Sequence, residues 1–223
     1  IPARHGLKRI VSQLERYGDL VELLVEDLRR GGPAPQLAAT AYQLGYLYET
    51  KYAQPRKAAE YYLQVLEYDP GHLDAFRRAR KTFFAERDHA KVAALLERRL
   101  AILEGPAERI ALHREIADLA QNTLGDHELA IRHARAILEA EPENNLERSR
   151  LADLLAVQGD WRGALALYEE LAPHEKDVRA LCALHLKMGH IYEAELHDKS
   201  RAVSAYETVL TYAPDDLQAM EHL

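Results

Sequence analysis

Pro70 recurs at 142 and again at 214, and the residues upstream of it recur with it. On this 72-residue period Gly45, Ala117 and Gly189 superimpose, as do Ala58, Ala130 and Ala202, then Val65, Ile137 and Val209, then Leu66, Leu138 and Leu210. Self-similarity at a fixed period constrains the fold more than any single motif, because each unit can bury its apolar face only against its neighbours. The expectation is one linear array over residues 1–223, with copies spanning about 7–78, 79–150 and 151–222. Length then sets repeat number, not domain number. Leu217 and Ala219 stand where Leu73 and Ala75 stand, as if a new copy begins, and the chain starts at Ile1. A piece of a longer protein is therefore expected.

Within each copy the apolar residues fall in four segments at helical steps of three and four. Leu44, Leu47 and Tyr48 form one stripe, and Ala58, Tyr62, Val65 and Leu66 form the next. No stretch alternates at period two for long enough to suggest a strand. The spacing predicts an all-α chain of about six helix-turn-helix hairpins, with helices over 7–17, 19–30, 36–51, 55–68, 72–85, 88–103, 107–122, 126–140, 144–158, 160–172, 176–195 and 198–212, and a stub from 216. Gly18–Asp19, Gly125–Asp126 and Gly159–Asp160 each set a glycine able to close one helix before an aspartate able to cap the next. Arg87–Asp88 keeps the cap without the glycine, Pro55 suits a first helical turn, and in the later copies Asp126 and Asp198 fall one place earlier, as caps should. The Gly31–Pro35 cluster has counterparts at Gly105–Pro106 and Pro173–His174, which makes it a loop between hairpins rather than a domain linker.

Composition narrows the function classes. With 29 Lys and Arg against 36 Asp and Glu, the net charge of −7 has the wrong sign for tracking a phosphate backbone, so nucleic acid is disfavoured as a partner. The single Cys182 cannot form an internal disulfide, which fits a cytoplasmic location. No run of 18 apolar residues is present to span a bilayer. No phosphate-binding glycine loop, nucleophile elbow or H-E-x-x-H occurs, so neither catalytic residues nor a cofactor is expected. The eleven histidines are scattered. His113 and His185 share a repeat position, which suggests a structural role, and Cys182 suits a packed core thiol. His190, Glu193 and His197 would share one helical face if the helix runs that far, but three residues absent from the other copies make a poor metal site, and no metal is expected.

The residues Leu44, Gly45, Tyr48, Ala58, Tyr62 and Pro70, repeated as Met188, Gly189, Tyr192, Ala202, Tyr206 and Pro214, resemble the tetratricopeptide repeat. That unit has 34 residues, and the resemblance covers essentially the whole chain. Divergent hairpins lie between the strong ones: near Leu151 the closing proline is missing, and near Arg80 Val92 replaces an alanine. The strong hairpins also carry one extra residue between their Gly45-type and Ala58-type positions. Unequal pairs of this kind resemble arrays in long bacterial proteins. The resemblance implies a right-handed α-solenoid whose inner, concave face is built from the first helix of each hairpin. It also implies a non-enzymatic scaffold that binds a protein or peptide on that face.

Carrying over the family's groove positions gives Tyr42, Tyr46 and Glu49, then Arg77, Lys81 and Phe84, then Arg114, Asp118 and Gln121, then Ser149 and Asp153, then Leu186, His190 and Glu193. Tyr42, Tyr46, Arg77, Lys81, Arg114 and His190 are the candidate ligand contacts, since guanidinium groups fork onto carboxylates and tyrosine offers rigid contact area. Arg114 stands four residues before Asp118, within reach of an intrahelical ion pair. The alternatives are a targeting or regulatory arm of a larger enzyme or signalling protein, nucleic-acid binding, and self-association through array ends bearing Leu217, Met220 and Leu223.

Overall fold

The structure, a computed structural model, describes Lys8 and residues 16–223. Among the described residues there are twelve α-helices and no strand. The chain divides into two compact units, Ile1–Gly105 and Pro106–Leu223. The first contains α1 (Tyr17–Arg30), α2 (Ala34–Thr50), α3 (Pro55–Tyr68), α4 (Leu73–Ala85) and α5 (His89–Leu100). The second contains α6 (Pro106–Leu119), α7 (His127–Ala140), α8 (Asn145–Val157), α9 (Trp161–Leu171), α10 (Val178–His190), α11 (Lys199–Tyr212) and α12 (Leu217–Glu221). Within each unit successive helices pack as hairpins: α2 with α3 and α4 with α5, then α6 with α7, α8 with α9 and α10 with α11. The helix expected over 7–17 lies outside the described residues apart from Lys8, Arg16 and Tyr17, the last of which already begins α1.

The helices end where local chemistry stops them. Asp88, Asp126, Asp160 and Asp198 accept hydrogen bonds from the backbone N–H three residues on, so the four aspartate caps form as expected. Asn144, Asp177 and Asp216 cap their helices in the same way. Asp19 does not cap: α1 already begins at Tyr17, and Asp19 sits in its first turn, paired with Arg16, where a carboxylate complements the helix dipole. Pro35 and Pro55 occupy first turns, where a missing N–H leaves no bond unmade.

Two kinds of turn explain the unequal pairing of hairpins. In α4–α5 and α8–α9 the chain closes tightly: Asp88 N–H bonds to Phe83 C=O and Asp160 N–H to Leu155 C=O, with Arg87 (φ 58°) and Gly159 (φ 81°) left-handed before the cap. In α2–α3, α6–α7 and α10–α11 the closing bond reaches one residue further, from Gln54 to Tyr48, Asp126 to Ala120 and Asp198 to Tyr192. The extra residue is absorbed by widening the last turn of the first helix, which is a π-helical turn at Ala120–Leu124 and at Ile191–Glu195. The helix expected over 176–195 is therefore α only to His190 and π thereafter.

Packing inside a strong hairpin turns on a glycine. A Cβ on Gly45 would meet the Tyr62 ring at 2.7 Å, and one on Gly189 would meet the Tyr206 ring at 2.6 Å. Each ring fills the space of the absent side chain and is almost fully buried. Shape complementarity thus fixes α2 on α3 and α10 on α11. The middle copy carries Ala117 and Ala134 at the aligned positions, a small residue in place of the tyrosine and a larger one in place of the glycine.

Candidate functional site

Each strong hairpin sets a carboxylate or amide late on its first helix. In the first unit the Tyr62 hydroxyl donates to Glu49 Oε2 at 2.7 Å, and Arg78 Nη1, from the next first helix, donates to the same oxygen at 2.7 Å. Arg78 Nε also bonds Asp74 Oδ2 at 2.7 Å, and the guanidinium lies 5.8 Å from the Tyr46 ring centroid. In the second unit Asp153 accepts from the Tyr168 hydroxyl and from Lys187 Nζ at 2.6 Å. Glu193 likewise accepts from Tyr206 at 3.0 Å and pairs with His222 Nδ1 at 2.9 Å. Gln121 accepts from Arg150 Nε at 2.7 Å, and Asp118 accepts from Arg150 Nη1 at 2.6 Å. The recurring clamp is an acceptor of one hairpin, a tyrosine hydroxyl from its second helix where one is present, and a cation from the next hairpin.

Charge follows from these contacts. Burial pushes the Glu49 carboxyl up, but the hydrogen bonds from Tyr62 and Arg78 outweigh it and hold the group below its ordinary value. Burial and Glu193 push the Tyr206 hydroxyl up to about 12, and burial with Glu49 raises that of Tyr62. Glu49, Gln121, Asp153 and Glu193 were all groove positions by family geometry; each is occupied in joining hairpins. The sequence does carry the signal for three of these clamps, namely an acidic residue late on the first helix with a tyrosine 13 or 15 residues on, in α2–α3, α8–α9 and α10–α11.

The candidate contacts divide into engaged and open groups. Tyr42 donates to Asp74 and stacks on His72 at 5.0 Å, so it is tied to the start of α4. Tyr46 is 46% exposed. Arg77 and Lys81 are exposed and make no ion pair among the described residues. They line an open depression of roughly 600 Å³ with Phe76, Arg80, Phe84 and Ala85, and Phe84 is 60% exposed. Arg114 does not pair with Asp118; Nη2 reaches Glu141 at 3.2 Å, because Arg150 already holds Asp118. His190 is exposed at the end of α10.

No family model matches the chain, and no curated protein is similar to it in sequence. Among solved structures, the Naa15/Naa10 complex bound to HypK-THB is similar in fold at 16% identity over 99% of this chain, with a TM-score of 0.65. This chain spans 33% of that chain's length. YrrB, a TPR protein with an unusual peptide-binding site, matches at 17% identity over 82% of this chain and 90% of its own, with a TM-score of 0.48. The C-terminal part of a TPR repeat-containing protein from Cytophaga hutchinsonii matches at 16% identity over 97% of this chain and 84% of its own, with a TM-score of 0.48. The helices paired as successive hairpins agree with the likeness in fold to the Naa15/Naa10 structure. The fold is that of a tetratricopeptide repeat array.

Elsewhere in the array histidine and cysteine side chains lie inside the second unit. His113 and His133 face each other through their Nδ1 atoms at 2.8 Å, joining α6 to α7, and burial lowers the His113 pKa. Cys182 is buried in the core of the second unit, and burial pushes its thiol up. His190, Glu193 and His197 do not share an α-helical face: the π-turn intervenes, and His197 leaves the helix at φ 53°. No group of three or more His, Cys, Asp or Glu among the described residues is placed to hold a metal, and no described helix is long and apolar enough to cross a membrane.

Proposed function

We propose that this tetratricopeptide repeat array is a non-enzymatic scaffold that binds a protein or peptide segment on the first-helix face of its first unit. The observation that carries the reading is the exposed surface of α4, where Arg77 and Lys81 lack ion-pair partners among the described residues beside an exposed Phe84. Exposed cations next to an exposed aromatic ring form a surface whose electrostatics and apolar area are both unspent. Tyr46 is exposed on α2 beside Arg78, while Tyr42 holds the entry to α4 through Asp74. Arg114 and His190 are proposed as weaker contacts on the first helices of the second unit.

Random 12-residue peptides selected by display on the intact chain provide the probe, with binding then measured for the Arg77→Glu/Lys81→Glu double variant. Both side chains are exposed, so the thermal unfolding midpoint is expected to hold. A loss of about tenfold or more in affinity, the effect of a residue near the centre of an interface, supports the reading. Unchanged affinity assigns the site to another surface. The same measurement with Arg114→Glu and His190→Ala tests the second unit.

A further inference from the structure

The spacing of groups along α4 specifies more than a general preference for acidic partners. At about 1.5 Å of rise per residue, Arg77 and Lys81 stand about 6 Å apart along the helix axis, and Phe84 about 4.5 Å beyond Lys81. An extended chain presents alternate side chains on one side at about 6.6 to 6.8 Å intervals. Two carboxylates at alternate positions therefore meet Arg77 and Lys81, and the side chain at the next alternate position reaches Phe84, the small excess in length being taken up by the long cationic stems. The depression, roughly 600 Å³ and open to solvent, is lined along α4 by these three side chains. An extended segment fits it.

The apolar end of the depression is equally defined. Phe83 is fully buried in the core while its neighbour Phe84 turns outward, 60% exposed, with the His89 ring against it edge-on at 5.7 Å. Phe76, 9% exposed, also lines the depression. The aligned positions of the second unit offer no equivalent: they are Ser149, Asp153 and Ala156, and Asp153 is held by Lys187. We propose, on the basis of the binding face argued above, that the partner is an extended acidic segment with carboxylates at two alternate positions and an aromatic or aliphatic side chain at the next. Arg77 and Lys81 take the carboxylates, and the apolar side chain packs on Phe84.

The probe is a fluorescein-labelled peptide carrying Glu-Gly-Glu-Gly-Phe between Gly-Ser flanks, titrated by anisotropy against the intact chain. Replacing its phenylalanine by alanine, or making Phe84→Ala in the protein, is expected to weaken binding about tenfold each. The two changes together should do little more than either alone, as expected of groups in contact. Lys81→Glu and added salt should each weaken binding further. Equal affinity for the phenylalanine and alanine peptides overturns the apolar contact. If this peptide fails to bind while display-selected peptides still depend on Arg77 and Lys81, the extended acidic motif is wrong and the binding face stands. If the selected peptides are also indifferent to those residues, both readings fall.

Discussion

The unit ending at Gly105 and the unit beginning at Pro106 are built from the same hairpins, yet they differ in charge and in how they complete their turns. The first carries 17 Lys and Arg against 14 Asp and Glu; the second carries 12 against 22. The overall negative charge thus belongs to the second unit, and a composition taken over the whole chain hides a basic α4. In the second unit Gly125 and Gly159 adopt the left-handed turn conformation and only one of the three aligned turns, at His197, enters it with a side chain attached, whereas in the first both Ala53 and Arg87 do so. Repeat architecture fixes the backbone at these places and leaves the side chains free to vary, so the proposed binding surface can be confined to one unit without disturbing the array.

The clamps are the first place to break the comparison. Arg150 is 15% exposed and approaches the buried Glu147 at 3.8 Å while bonding Asp118 and Gln121; Arg78 is 31% exposed and both its acids, Glu49 and Asp74, are more accessible than Glu147. Removing Arg150 leaves a buried carboxyl without its nearest cation, and breaking such a pair is expected to cost about 3 kcal/mol. Arg78→Ala removes charge-assisted hydrogen bonds from a partly solvated site and should cost about 1.5 kcal/mol. Urea unfolding monitored by hydrogen exchange in each unit measures both. Equal losses would mean that burial of Glu147 does not distinguish the two clamps.

Next in size are the glycines beneath the tyrosines. Gly45→Ala and Gly189→Ala each press a methyl group into a buried ring, and overpacking of this kind costs about 1 to 3 kcal/mol. Similar losses in both units are expected, from thermal unfolding with exchange mapping. Restoring space with Tyr62→Phe should not rescue Gly45→Ala, because the contact is with the ring rather than the hydroxyl, and it forfeits the bond to Glu49.

How much of this could be foreseen follows from the range of the forces involved. Helix positions were legible because apolar spacing, aspartate caps and prolines act within a few residues: the helix expected over 55–68 is α3, and the four caps at Asp88, Asp126, Asp160 and Asp198 form. The π-turns were visible only as an extra residue, since nothing local distinguishes a widened turn from a longer loop. The clamps join residues 29 and 34 apart, and their partners are set by the packing of successive hairpins, so Glu49 and Asp153 read as groove residues until Arg78 and Lys187 are placed beside them. Arg77 and Arg78 are adjacent in sequence and identical in type. A one-residue step of about 100° around the helix sends one into a clamp and leaves the other on the surface.

The turn residues sharpen the comparison at about 1 kcal/mol. A left-handed backbone costs a residue with a Cβ roughly 1 to 2 kcal/mol relative to right-handed geometry. Ala53→Gly and Arg87→Gly should therefore stabilise the first unit by about 0.5 to 1 kcal/mol, while Gly125→Ala and Gly159→Ala destabilise the second by a comparable amount. Changes in the urea midpoint at unchanged slope would record this. No gain at Ala53 would indicate that the wide turn, with its Gln54 to Tyr48 bond, gains as much from Ala53's restricted unfolded state as it loses in strain.

The smallest expected effect is a separation of the units by pH. Burial holds His113 and His185 below their ordinary value of 6.5, so the folded second unit binds fewer protons than its unfolded chain. That contribution to stability is fully present above 6.5 and is lost as pH falls through the folded values. The His113–His133 contact adds to the loss, since two protonated Nδ1 atoms at 2.8 Å would set donor against donor. Glu147 has the opposite sign: burial raises its pKa, folding favours its neutral form, and its contribution grows as pH falls toward the ordinary 4.5. In the first unit Glu49 and Asp74 are held below their ordinary 4.5 and 3.8, so the stability they supply persists until pH drops beneath those values. Moderate acidification is therefore expected to speed hydrogen exchange in α6, α7 and α10 while α2–α4 stay protected. Exchange that rises equally in both units would show that the buried histidines do not set the acid sensitivity of the array.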